Sequence, residues 1–280
     1  MWGSQEMATI NTNAGAMMAL QNLNQTQREL ENVQNRINTG LAIGSAKDNG
    51  GVFAIAQAMR GDVRGYAAVA NSLDLSVSTV DVALAGGEAI SDLLVEMKEK
   101  ALAGSDTSLD TASRSALNED FKALRDQVTK IIETASFNGT NLIDGSQSSI
   151  SSLANAAGSS TITITAEDLS LGGTTITLAA AASFASAGEA STLVATIETS
   201  LDNLNASLAR LGTGSKSLGV HTAFVTKLSD ALEQGIGNLV DADLARESAR
   251  LQSLQVKQQL GVEALSIANA TPVSILGYFT

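Results

Sequence analysis

The two ends of this chain are periodic where its middle is not, and that limits the folds open to it. Near the N-terminus Leu23, Leu30 and Ile37 recur every seven residues, and Leu20, Gln27, Gln34 and Leu41 recur beside them. This is a heptad seam with glutamine at two positions, the mark of a helix that packs along its length against another helix. Toward the C-terminus Ala249, Val256, Leu260, Ala264 and Ile267 form one helical stripe; Leu244, Leu251, Leu254 and Leu265 form a neighbouring one. A helix that is apolar on two adjacent faces needs more than one neighbour to cover it. Two readings follow from the pattern alone and stay open at this point: a bundle closed within one chain, or helices that join copies.

Between the seams the chain reads as long helices. Its single proline, Pro272, lies near the end, so little interrupts them. Asn11 to Asn13 offer N-cap groups before Ala14, and Thr39-Gly40 gives a stop, which predicts a first helix over about 13–38. Gly44 to Gly51 reads as a loop or joint, with Lys47 and Asp48 as a solvated pair. Apolar spacings of three and four (Val69, Leu73, Val77, Val80, Leu84) predict a second helix over about 52–103. A third, over about 110–135, has Leu117, Phe121, Leu124, Val128, Ile131 and Ile132 as its apolar face, with Arg114 and Arg125 on solvated or interfacial faces. A fourth resumes near 187, is interrupted at Gly212-Thr213-Gly214, and continues to about 232; Gly235-Ile236-Gly237 then separates it from a final helix over about 241–269.

The middle differs. Asn138-Gly139 marks a turn. Thr161 to Thr165 alternates with period two, and Thr174 to Leu178 resembles it across Leu171-Gly172-Gly173, which predicts a small hairpin within about 139–182. The remainder of that region, rich in Ser, Ala and Gly, reads as mobile surface.

The side chains that carry chemistry are scarce. There is no cysteine, hence no disulfide and no thiolate ligand, and His221 is the only histidine. No cofactor and no metal site is expected, and no catalytic residue. Gly212 to Ser217 resembles a fragment of a phosphate-binding loop but lacks its Gly-Lys-Ser/Thr end and a preceding strand. Asp241 and Asp243 fit the start of a helix better than a calcium loop. The net charge of −12 opposes nucleic acid and anionic membranes alike. No continuous apolar run of membrane-spanning length is read, so no membrane partner is expected. Residues 1–6, without a cationic or apolar leader, read as a tag or upstream extension.

Several blocks, in order, resemble bacterial flagellin. Ala8 to Asn13, Ala19 to Asn24, Arg36 to Leu41, Ser45 to Asn49 with Ala54 to Ala56, and Phe137 to Leu142 are similar to its N-terminal half. Asp241 to Ala245, Gln255 to Leu260, Ala268-Asn269 and the tail from Pro272 to Leu276 are similar to its C-terminal helix. The resemblance covers about 7–145 and 187–280, in an alphaproteobacterial style with a short central region. It implies a mainly α fold: a long antiparallel bundle or coiled coil of N- and C-terminal helices, with a small β-hairpin region.

In that picture residues 7–45 with 238–280 form the inner-tube coiled-coil domain, 46–142 with 187–237 an outer helical domain, and 143–186 a variable hairpin and surface region. The implied function is a structural subunit, not an enzyme, that polymerises with its own kind into the extracellular flagellar filament for swimming. The implied assembly residues are Leu20, Leu23, Leu30, Ile37, Leu41, Leu244, Leu251, Val256, Leu260 and Ile267. Implied partners are other copies, filament cap and hook-junction proteins, and an export chaperone at the C-terminal segment, with export through the flagellar type III apparatus. O-linked sugars on Ser or Thr within 147–192 are a further implication. Glu96 stands where members sensed by a mammalian innate receptor carry arginine, so that partner is not expected. The nearest rival is a hook–filament junction protein, which shares the terminal character.

Overall fold

The computed structural model describes residues 12–276, with side chains through Ala270. The expectations for the 1–6 leader, for residues 7–11 and for the tail side chains from Thr271 onward lie outside the described residues. Among the described residues five helices carry the fold: α1 (Ala14–Thr39), α2 (Gly50–Gly104), α3 (Thr111–Thr134), α4 (Ala187–Val240) and α5 (Leu244–Leu276). Four short strands lie between α3 and α4: β1 (Ser136–Phe137), β2 (Thr140–Asn141), β3 (Ser149–Leu153) and β4 (Thr161–Thr165).

The helix ends follow local chemistry. Asn13 caps α1 by accepting from the Ala16 N–H at 2.9 Å. Gly40 ends it at φ 72°, a left-handed turn that glycine makes without a Cβ clash, and its N–H donates to the Arg36 carbonyl. Asp110 caps α3 through the Ser113 N–H. Asp243 does the same for α5 through the N–H groups of Ala245 and Arg246, as its place in the sequence suggested. Asn138 (φ 50°) and Gly139 (φ 78°) both take positive φ, which closes the β1–β2 hairpin with the twist such tight turns need.

The chain forms two compact units. One is drawn from the stretches up to Arg60 and from Leu232 onward; the other is Gly61–Ala231. In the first, α1 and α5 run antiparallel. Asn13 bonds the Ala268 carbonyl, Gln258 bonds Gln27, and Arg36 meets Glu247. Backbone bonds clasp the base of the pair: Ala42 and Ile43 donate to the Val240 carbonyl, and Ala242 donates to that of Gly40.

In the second unit the long helices run antiparallel, since Asp81 meets Ser215 and Lys98 meets Glu198. Its core gathers Val69, Leu73, Val80 and Ile90 from α2, Phe121 and Val128 from α3, and Ile197, Leu204, Leu211 and Leu218 from α4. One 18-residue stretch of α2 reaches a mean hydropathy of 1.2, enough by length and composition to cross a membrane, although no such run was read from the sequence. The core side chains of α2 just named show the alternative use of such a helix, as the centre of a bundle.

The middle departs from expectation in three ways. First, β4 pairs with β3, not with 174–178: Ile150 lies opposite Ile164 and Ser152 opposite Ile162. The 174–178 stretch instead makes one isolated bridge, Leu171 to Ile176, and sends Ile176 and Leu178 into the core. Burying two large aliphatics outweighs an exposed second hairpin. Second, the region is not loose surface. Leu169, Ala182 and Phe184 are core residues, and Phe184 meets Phe121 edge-to-face with ring centroids 5.5 Å apart. Third, α4 is continuous through Gly212–Gly214 and Gly235–Gly237. A Cβ at Gly214 would sit 3.0 Å from Ile164, so this glycine admits the β4 side chain rather than breaking the helix. Packing offsets the roughly 1 kcal/mol that each mid-helix glycine costs.

Candidate self-assembly surface

The seam between α1 and α5 is a heptad on both sides. On α1 the residues turned inward are Ala16, Ala19, Leu23, Thr26, Leu30, Val33 and Ile37; on α5 they are Glu247, Leu251, Leu254, Gln258, Gly261, Leu265 and Ala268. Every step is three or four residues, the spacing of knobs-into-holes packing. The row through Leu23, Leu30 and Ile37 lies where it was expected. The second row does not. Leu20, Gln27 and Gln34 are exposed, and the row that faces α5 is Ala19, Thr26 and Val33, one residue earlier. Ala19 and Thr26, small or polar, carry little hydrophobic signal, and Val33 alone does not mark a row.

The seam is graded along its length. At the base Leu30, Val33 and Leu254 are buried together, with Ile37 and Leu251 packed on them. Toward the other end smaller residues (Ala16, Ala19, Thr26, Gly261 and Ala268) alternate with Leu23 and Leu265, and a Cβ on Gly261 would come within 3.2 Å of Leu23. Near the base, Arg36 Nη1 lies 3.2 Å from Glu247 Oε1. Glu247 is buried, and its Oε2 meets no donor among the described residues. A buried carboxylate survives there because the guanidinium faces it.

The expected assembly residues therefore fall in two groups. Leu23, Leu30, Ile37 and Leu251 are spent on the intramolecular seam, and Leu41 sits at the base, bridged to Asp241. Leu20, Leu244, Val256, Leu260 and Ile267 are exposed. Val256 and Leu260 are four residues apart on the outer side of α5, and Leu260 is 63% exposed; Val262 is exposed nearby. Met17, Met18 and Leu20 of α1 are exposed as well. Because Asn13 meets Ala268, these methionines lie at the same end of the helix pair as the exposed Ile267. An apolar surface on the outside of an already paired coil is the most distinctive feature of this unit.

Other polar groups are structural. Arg210 grips Glu167 with two bonds of 2.7 and 2.6 Å, which ties the middle segment to α4 and holds the Glu167 carboxyl below the usual range. Arg114, expected on a solvated or interfacial face, donates to the carbonyls of Gly104, Asp106 and Leu109 and so closes the turn after α2. Arg125 likewise bonds the Ala182 carbonyl. Asp48 does not pair with Lys47. It accepts from the Ser45 hydroxyl and the N–H groups of Ser45 and Gly44, and these bonds, led by that of the hydroxyl, lower its pKa. His221 Nε2 lies 2.8 Å from the Ala154 carbonyl, a packing role. Among the described residues no cluster of three metal-ligating side chains occurs. Within 147–192 most Ser and Thr are exposed, but Ser152 and Thr175 are buried.

Comparison with known proteins gives a consistent picture. Residues 10–148 match the family described as bacterial flagellin N-terminal helical region, and residues 194–279 match bacterial flagellin C-terminal helical region. The protein named Flagellin FljM from Caulobacter vibrioides is 56% identical, spanning 97% of this chain and 98% of the relative. A protein named Flagellin from Brucella melitensis is 36% identical, spanning 98% and 99%. Among solved structures, Bacillus cereus flagellin aligns with a TM-score of 0.47 at 21% identity, covering 54% of this chain and 86% of that one.

Proposed function

The chain belongs to the bacterial flagellin family, and on that premise we propose that its terminal helix pair builds the inner wall of a filament made of many copies. It is a structural subunit, not an enzyme, and its place is the extracellular flagellar filament, where it polymerises with its own kind to serve motility. The observation that carries the assembly reading is the outer face of α5. Val256 and Leu260 remain exposed after α1 has covered the inner face, so a second helix is wanted there. Contacts between unlike surfaces of successive copies give a helical polymer when their rotation does not close on itself.

In this reading residues 7–45 with 238–280 form the inner-tube domain, 46–142 with 187–237 the outer helical domain, and 143–186 the surface region. The exposed Leu20, Leu244, Val256, Leu260 and Ile267 contact neighbouring copies, while Leu23, Leu30, Ile37, Leu41 and Leu251 hold the pair itself. The same apolar α5 surface suits an export chaperone before assembly. Cap and hook-junction proteins would meet it at the two filament ends, after passage through the flagellar type III apparatus. The exposed Ser and Thr of 147–192, outside the buried Ser152 and Thr175, are offered as acceptors of O-linked sugars. An intact mass of natively expressed protein equal to that of the bare chain would dismiss the sugars.

Electron microscopy of the purified protein, with and without short filament seeds, tests the main reading. Seeds should elongate into long filaments with the full chain and not with a version lacking 241–280. A full chain that gives only soluble monomer or short capped stubs would point to a junction protein.

A further inference from the structure

Two surfaces of the second unit are left unused by its fold, and we propose that they meet between copies of this chain: Phe224 of one copy seats in the cleft beside Leu75 of another, with Lys227 facing Asp74. The proposal rests on the filament reading above and adds a specific contact to it.

The cleft lies along α2. Asn71, Asp74, Leu75 and Ser78, three and four residues apart and so on one helical face, line a cavity of about 340 Å³. A neighbouring cavity of about 240 Å³ runs from Leu75 to Phe137, Asn138 and Ile150, between the two hairpins. Leu75, 52% exposed, lines both, and most of the other lining residues are Ser, Thr and Asn. The Asp74 carboxylate, on the rim, makes no ion pair or side-chain hydrogen bond among the described residues. No α4 residue lines either cavity, so the chain does not fill the cleft with its own Phe224.

The complementary surface lies on α4. Val220 and Phe224 are 64% and 55% exposed, one turn apart, with the exposed Lys216 and Lys227 at either end of the same face. Neither lysine makes an ion pair among the described residues. In a chain of net charge −12, an exposed aromatic flanked by two free lysines is a local exception. The exposed Leu75 beside the unpaired Asp74 is its match in both respects. The aromatic supplies buried area at the centre of such a contact, and the charges set its orientation. The two patches are different, and every copy carries both, so the contact repeats head to tail from copy to copy, as the open filament of the reading above requires.

The absence of cysteine makes the test direct. Leu75→Cys and Phe224→Cys are prepared as separate full-length proteins, co-assembled from seeds, and treated with a short bis-maleimide. A covalent dimer is expected from the mixed filaments, and not from filaments of either variant alone or from mixed monomers. Filaments that form without that mixed dimer overturn the contact. As a second arm, Asp74→Lys and Lys227→Asp should each raise the critical concentration for elongation by about tenfold, and the double exchange should recover most of the loss. Both sites are exposed, so circular dichroism of the monomers should not change. A double variant that is no better than the singles also overturns it. Wild-type protein that fails to elongate seeds at all would sink the filament reading, and the contact with it.

Discussion

Single residues explain how a nearly aromatic-free chain holds a definite shape. Phe121 and Phe184 are two of only six phenylalanines, and their contact draws the segment before α4 onto α3. Glu167 and Arg210 fix the same segment further along. The Arg210 bond lowers the Glu167 pKa from its ordinary 4.5, so the stabilisation is fully present above that value and is lost as pH falls through the depressed one. Arg210 is largely in solvent, which places the contribution at about 1 kcal/mol. Thermal unfolding should therefore show Glu167→Gln a few degrees below wild type at neutral pH, with the gap closing in acid. A gap that stays constant with pH would mean that the carboxylate charge does not contribute. None of these pairings was legible in the sequence, because the partners are tens of residues apart and nothing local marks them.

At the scale of elements, periodicity was readable and pairing was not. The limits of α1, α2 and α3 agree with the sequence reading to within two residues, because caps, turns and apolar spacing are local. The partner of β4 is not legible in the sequence, since Ser149 to Leu153 looks no more like a strand than the polar stretch around it. The two stripes of α5 could be read as apolar, but which one faces α1 depends on where α1 lies. Leu260→Asp separates the two faces: the side chain is exposed, so helicity and unfolding of the monomer should change little. Seeded elongation should fall sharply, since the charge would be buried in every inter-subunit contact along that stripe. Normal elongation by Leu260→Asp would remove the outer face of α5 from the assembly surface.

For the molecule as a whole, the two units have different chemistry. The unit spanning Gly61–Ala231 owns the large core, with Leu, Ile and Phe side chains from all three of its helices. The terminal unit buries Leu30, Val33 and Leu254 together and leaves large apolar side chains outside. A small intramolecular core beside an uncovered apolar face is what a polymer needs: a subunit that is soluble at −12 charge yet gains burial by joining. This is why deletion of 241–280 is the decisive truncation for the seeded-growth experiment. It removes the uncovered face of α5 along with the partner of α1, and leaves the 61–231 core intact.

The sequence by itself determined the helices, the approximate ends of the first three, one row of the N-terminal heptad and, through ordered blocks of residues, the family. Those signals are local, or they are strings of identity, and neither requires knowing which elements touch. Only the tertiary structure decided that Ala19, Thr26 and Val33 face α5 while Leu20 does not, that β3 is the partner of β4, and that Ile176, Leu178 and Phe184 belong to a core rather than to a loose surface. The physical reason is the same in each case. Burial is a property of where a neighbour lies, and an alanine or threonine turned toward a helix carries no mark that separates it from one turned toward water.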